Sequence, residues 1–137
     1  MTKAEEAKRV FKTRWFAKAA IKALIEDGEL CEAIAEVEKG QADDLGGGVF
    51  KQRLNKNMHR GIILARGRTY WVYAYLFAKR DRVNIDDDEQ DAFRDLADVH
   101  AAKSATAIGK EVDAKELVEI CIEQKAQIQE RRLRGDP

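Results

Sequence analysis

Proline is nearly absent from this sequence. Its only one, Pro137, is the last of 137 residues, so no internal proline breaks a helix and no proline-rich linker divides the chain. Cysteine is almost as scarce. Cys31 and Cys121 sit in helix-like sequence rather than at short paired spacing, which argues against a disulfide scaffold or a thiolate zinc site and predicts two small core residues. Histidine is limited to His59 and His100, and there is no Gly-x-Ser-x-Gly, no phosphate-binding loop and no dinucleotide fingerprint. Most hydrolase and nucleotide-cofactor classes therefore have no foothold, and neither a metal nor a cofactor is expected. No apolar run approaches the roughly 18 residues that cross a bilayer, and Met1 to Arg9 lack the apolar stretch of a signal peptide. These absences predict a soluble cytoplasmic protein without membrane contact, and the length predicts one domain over residues 1–137.

Net charge is also missing, since 25 basic residues balance 25 acidic ones. Zero charge speaks against a phosphate-binding partner, but the sum hides its parts. Residues 1–48 hold 8 basic and 10 acidic side chains, residues 49–82 hold 9 and 1, and residues 83–137 hold 8 and 14, for nets of −2, +8 and −6. The middle third is a concentrated polycation, which points to an anionic partner for one face of the fold.

Periodicity gives the elements. A short strand, Val10 to Thr13, leads into a helix from near Trp15 in which Phe16, Ala20 and Leu24 recur at i+4, broken at Gly28. A second helix, about Glu29 to Glu38, aligns Leu30, Ile34 and Val37 and stops before Gly40. From Val49 the period becomes two: Phe50, Gln52 and Leu54 alternate with Lys51 and Arg53. His59 to Ala65 and Thr69 to Ala78 read as strands joined at Arg66-Gly67-Arg68. The second is apolar on both sides, with Trp71, Tyr73, Tyr75 and Phe77 opposite Tyr70, Val72, Ala74 and Leu76, as in a central strand. Asp86-Asp87-Asp88-Glu89 suits a helix start, followed by Phe93, Leu96, Ala97 and His100 along one face. Asp113 with Glu116 resembles a capping box, and Val112 with Leu117 a hydrophobic staple, for a last helix carrying Leu117, Ile120, Cys121, Gln124 and Ile128 and ending at Arg131-Arg132-Leu133-Arg134.

Candidate chemistry concentrates in the cations. Gly46-Gly47-Gly48 precedes a strand and lacks a following Lys-Ser/Thr pair, so it reads as a turn, and the Asp86 to Glu89 cluster reads as a solvated helix start rather than a cation site. Lys51 and Arg53 project from one face of a strand, Arg60 starts the next, and Lys79, Arg80 and Arg82 follow the central strand. In a meander they could converge on one concave sheet surface, while composition alone favours a soluble charged face. Tyr73 and Tyr75 could offer stacking platforms for bases, but core positions explain them more simply, and His100 reads as a packing residue.

Four motifs in order carry a family resemblance: Val10-Phe11-Lys12-Thr13-Arg14-Trp15-Phe16, Leu30-Cys31-Glu32-Ala33-Ile34, Leu45-Gly46-Gly47-Gly48-Val49-Phe50-Lys51-Gln52-Arg53, and Phe77-Ala78-Lys79-Arg80-Asp81-Arg82-Val83-Asn84-Ile85 with Glu89. Together they resemble a RelE-type toxin of the RelE/ParE toxin-antitoxin superfamily over about residues 10–100. The likeness implies an α+β fold with two N-terminal helices followed by a twisted antiparallel sheet of about four strands, with C-terminal helices, and the helical extension read from periodicity over about 112–134 lies past the match. It implies a bacterial, ribosome-dependent, metal-independent endoribonuclease that inhibits translation by directing a ribose 2′-oxygen of mRNA onto the adjacent phosphorus. It also implies an antitoxin partner with a helix-turn-helix, and a homodimer is open.

Carried over by position, Lys51 and Arg53 match the family's Lys-x-Arg strand, Arg60 its strand arginine and Lys79 the lysine ending the last strand. Arg60 is the expected transition-state clamp, because a planar fork engages two phosphate oxygens. Lys51 beside Arg53 is a candidate base, since neighbouring cations disfavour its charged form. His59 completes the catalytic candidates as acid or base, although its place beside Arg60 predicts that it points to the opposite face. Lys56, Lys79, Arg80 and Arg82 are the expected RNA contacts. Where the family tends to approach the arginine through Lys-Ser-Gly-Gly-Tyr-Arg, this chain reads Asn55-Lys56-Asn57-Met58-His59-Arg60. That departure keeps open a catalytically silent module that binds antitoxin or RNA, and a ParE-like action on DNA gyrase is the third reading.

Overall fold

The computed structural model describes residues 8–122. The elements run β1 (Arg9–Thr13), α1 (Arg14–Ala23), α2 (Asp27–Glu38), β2 (Asp43–Gly46), β3 (Val49–Leu54), β4 (His59–Leu64), β5 (Tyr70–Ala78), α3 (Asp87–Ala101), α4 (Ala105–Asp113) and β6 (Leu117–Ile120). They form one sheet in the order β2-β3-β4-β5-β1-β6. β1 runs parallel to β5, and every other neighbouring pair is antiparallel. The expected pair of helices followed by a four-stranded antiparallel sheet is thus corrected: a strand precedes the helices, and the sheet is mixed and six-stranded. No described helix is long and apolar enough to cross a membrane.

The sheet is covered on both faces. Phe16 and Ala20 of α1 and Leu30, Ile34 and Val37 of α2 pack on Val10, Leu54, Ile63, Trp71, Tyr73 and Ile120. On the other face, Ala97 of α3 and Ile108 of α4 pack on Phe11, Val49, Ile62, Leu64, Val72 and Leu117. Thr13 caps α1 by accepting from the Phe16 N–H at 3.1 Å. That cap contributes about 1 kcal/mol. Full burial of Phe16 contributes roughly 1.5–3 kcal/mol, so the packing rather than the cap holds α1 in place. The helix ends at Leu24, whose φ of 61° is left-handed, and Gly28 lies inside the first turn of α2 instead of breaking α1.

Three further expectations change. Asp113 is the last residue of α4, Lys115 turns with a φ of 63°, and β6 occupies the start of the predicted last helix. Leu117 and Ile120 share a helical stripe by spacing, yet in β6 they face opposite sides and enter the two separate cores. With both faces buried, spacing alone does not distinguish strand from helix. The remainder of that predicted helix, 123–134, lies outside the described residues. Next, Ile62 pairs with Tyr75 and Ile63 with Tyr73, which leaves Ala74 as an extra, bulged residue. Tyr75 and Phe77 therefore share the face of α3 with Tyr70 and Val72, while Trp71, Tyr73 and Leu76 face α1 and α2. Finally, Cys31 and Cys121 are not two unlinked core residues. They form a disulfide across a sequence separation of 90, with Cα atoms 5.7 Å apart. Short-spacing rules miss such a pair, because only the placement of β6 beside β1 brings it together.

His100 is buried, as its stripe predicts. Burial, followed by the nearby Lys103 ammonium, pushes its pKa down, against an opposing pull from Glu111.

Gly47 and Gly48, with φ of 65° and 84°, make the two-residue turn between β2 and β3. A Cβ on Gly48 would stand 2.6 Å from the Arg66 Cα and 2.7 Å from the Arg66 backbone nitrogen. Gly48→Ala is accordingly expected to cost roughly 2–4 kcal/mol, combining left-handed strain with overpacking against backbone that cannot move aside cheaply. A denaturant midpoint unchanged from the parent chain would contradict this.

Candidate functional site

The alternation of β3 and β4 places cations on the face that carries α3. Arg53 pairs directly with Arg60, and Lys51 with Ile62, so Lys51, Arg53 and Arg60 emerge on one side. Arg60 pairs onward with Phe77 of β5, and Ile62 with Tyr75. Arg82, from the segment after β5, lays its guanidinium 5.7 Å from the centroid of the Phe77 ring. Four of the predicted residues are therefore brought together.

Their partners differ. Lys51 is largely covered and lies 3.5 Å from the Asp43 carboxylate. Arg82 grips Glu89 with both terminal nitrogens, at 2.5 and 3.3 Å, donates to the Asn84 carbonyl at 3.0 Å and reaches the Tyr75 hydroxyl at 3.4 Å. Among the described residues, neither Arg53 nor Arg60 has an acidic partner. Arg60 instead folds back, donating from one terminal nitrogen to the carbonyls of Asn57 and His59, each at 3.1 Å.

The turn between β3 and β4 borders this surface. Asn55, Lys56 and Asn57 have φ of 55°, 53° and 72°, a left-handed run without glycine. Asn55 is tied down by its backbone N–H to the Glu29 carboxylate and by its side chain to the Ala23 carbonyl at 3.4 Å. Lys56 is exposed on the turn, and Lys79 is adjacent, its N–H donating to the Met58 carbonyl at 2.9 Å. Arg80 is exposed beyond β5, beside Asp81.

His59 is not part of the surface. It pairs with Leu54 and Ala78 on the α1–α2 side, where its Nδ1 lies 3.1 Å from the Asn55 amide nitrogen. Tyr73 is core, donating its hydroxyl to the Leu30 carbonyl at 2.6 Å. Burial pushes its phenol well above the usual range. Tyr75 is half-buried against Phe93 and stacks on the exposed Trp15 at 5.0 Å. Sequence reasoning missed Asp43 as the partner of Lys51, because only the β2–β3 pairing reveals it. It also missed the placement of Phe77 and Tyr75 on this face, which the Ala74 bulge decides.

Over residues 8–120 the chain matches the model of the RelE toxin of the RelE/RelB toxin-antitoxin system. The chain belongs to the RelE toxin family. No curated protein and no solved structure matches it. Membership makes the chain the toxin of a toxin-antitoxin pair, with an antitoxin as partner. In this RelE-family chain the cationic face joins two of the motifs that carried the resemblance: the β3 strand, and the end of β5 with Glu89.

Glu89 does two jobs. It completes a capping box with Asp86 at the start of α3, and it holds Arg82. The Arg82 hydrogen bond, then that from the Asp86 N–H, holds its carboxyl below the usual range. A depressed carboxyl contributes stability that is present above its unfolded pKa of about 4.3 and lost as pH falls through the lower folded value. Thermal melts below about pH 4.5 should show this acid-side loss in the parent chain and a smaller one in Glu89→Gln. Parallel acid limbs in the two proteins would remove Glu89 as a contributor.

Proposed function

We propose that the chain is a ribosome-dependent endonuclease that cleaves mRNA within the bacterial cytoplasm and so inhibits translation. The observation that carries this reading is the Arg53–Arg60 pair, two arginines directly opposite each other on a strand ladder and, among the described residues, neither in an ion pair with an acid. Such a pair suits a phosphodiester in transition, because charge grows on the non-bridging oxygens as the phosphorane forms.

In this mechanism the ribose 2′-hydroxyl loses its proton, its oxygen bonds to the adjacent phosphorus, and the bond to the 5′-oxygen breaks. The products are a 2′,3′-cyclic phosphate and a 5′-hydroxyl end. Arg60 swings from its two carbonyls onto one non-bridging oxygen and Arg53 takes the other. Water takes up the 2′-proton while Lys51, steadied by Asp43, supports the 2′-oxygen, and a second water protonates the leaving 5′-oxygen. His59, on the opposite face, has no part in the step. Lys56, Lys79 and Arg80 border the face where flanking phosphates would run, while Arg82 chiefly fixes α3. The antitoxin, which we propose carries a helix-turn-helix, silences the toxin by covering this surface. We treat residues 1–137 as one domain.

A second reading keeps the same surface for binding alone. It is favoured by the Arg60 guanidinium already being engaged by the Asn57 and His59 carbonyls.

Inducing the chain in bacteria and mapping RNA ends separates the two. Cleavage within translated messages is expected, reduced by about 10² to 10³ in Arg60→Ala, the typical loss when one preorganised donor is removed. His59→Ala should stay within a few-fold of the parent. Intact messages and unimpaired growth with the parent chain would sink the cleavage reading. Binding of RNA without cuts would leave the second reading in its place.

A further inference from the structure

Cys31 and Cys121 carry chemistry that the proposed cleavage does not use. Cys31 lies near the start of α2, and Cys121 directly follows β6. Both are half-buried at the edge of the α1–α2 core. An open cleft of about 340 Å³ is lined by both cysteines together with Asp27, Gly28, Glu119 and Ile122. Access of this kind is what thiol–disulfide exchange requires, since a thiolate must reach a disulfide sulfur.

The same turn of α2 reaches the β3–β4 turn that borders the cationic face. Glu29, two residues before Cys31, accepts from the Asn55 N–H, and the Leu30 carbonyl accepts from the Tyr73 hydroxyl. Asn55 opens the left-handed turn whose Asn57 carbonyl holds Arg60. L-residues adopt this conformation at a cost, so the turn keeps its shape only while its neighbours hold it. A continuous series of bonds therefore leads from Cys121 through Cys31, Glu29 and Asn55 to Arg60. If the disulfide opens, β6 still has its ladder with β1 and the Arg9–Glu119 ion pair at 2.8 Å. Opening the bond thus changes a restraint without removing the strand.

We infer that Cys31 and Cys121 form a thiol–disulfide exchange site, in which oxidation fixes α2 against β6 and steadies the β3–β4 turn beneath Arg60, and reduction loosens that turn. In the reducing direction a small thiol, as its thiolate, attacks one sulfur and forms a mixed disulfide. That attack expels the other cysteine as a thiolate, and a second small thiolate then attacks the small-thiol sulfur of the mixed disulfide and expels the remaining cysteine. Two electrons and two protons pass to the cysteines, and the reductant leaves as its own disulfide. A small-molecule disulfide reverses both steps. This inference rests on the proposed function only for what Arg60 does, while the exchange and its effect on the turn are independent of it.

The test equilibrates the full chain in mixtures of reduced and oxidised glutathione, without denaturant. Alkylation followed by mass measurement counts free thiols, and hydrogen exchange follows the Asn55 amide. Both cysteines should convert together from unmodified to doubly alkylated, and Asn55 should exchange on the order of tenfold faster once they are reduced. Cys31→Ser should show the faster rate in either mixture. A bond that opens only in denaturant, or an Asn55 rate indifferent to redox state, would overturn the proposal. Should the serine variant misfold, the titration of the parent chain decides alone. RNA cleavage measured alongside separates the two claims: absence in both mixtures counts against the proposed function, whereas equal cleavage in both overturns the link to Arg60.

Discussion

Arg53 stands directly across from Arg60 on the β3–β4 ladder, and much of the surrounding structure serves to keep that register. Like charges opposite one another on a sheet destabilise it by up to about 1 kcal/mol. The opposite faces of the same strands bury Phe50, Leu54 and Ile63, each contributing roughly 1.5–3 kcal/mol. Burial therefore outweighs repulsion, and the arginines have no cheaper arrangement. A slip by one residue would turn Lys51 and Arg53 into the α1–α2 core and expose the apolar set. The glycine turn at Gly47-Gly48 joins β3 to β2 at the end of that ladder.

The same register explains how a chain without net charge presents a cationic surface. The acidic helix α3 packs on the very face that carries the cations, yet it takes only some of them. Glu89 holds Arg82, and Asp98 holds Arg66 at 3.2 Å, while Asp43 from β2 reaches Lys51. Arg53 and Arg60 sit where α3 supplies no carboxylate. Local distribution, rather than the sum, sets what an approaching anion meets.

What was legible in the sequence was local. The acidic helix start at Asp86 to Glu89, the α2 stripe and the shared face of Lys51 and Arg53 depend on residues within a few positions of one another, and each is found in the structure. What was not legible depended on distant chain. No pattern in Tyr70 to Ala78 marks Ala74 as bulged, because the shift answers the pairing with Ile62 and Ile63. Nor does any spacing announce β6 or the Cys31–Cys121 bond, since both require β1 to lie between β5 and β6. The opposed arginines were half visible: alternation gave the face of each strand, but only the register made Arg53 and Arg60 neighbours.

The β3–β4 turn bears on the absence of the glycine-rich approach to Arg60. Glycine serves such turns because it accepts positive φ without cost. Here Asn55 and Asn57 accept it instead, as the residue type that tolerates it best after glycine, and Lys56 between them is carried by its flanks. The left-handed turn thus forms here without glycine. Glycines leave a turn many conformations to lose on meeting a ligand, whereas a turn whose Asn55 is anchored by Glu29 and Ala23 leaves fewer. The departure from the family pattern consequently bears less on whether Arg60 is presented than on what holds it, which is a turn secured from α2 rather than one free to adapt around RNA.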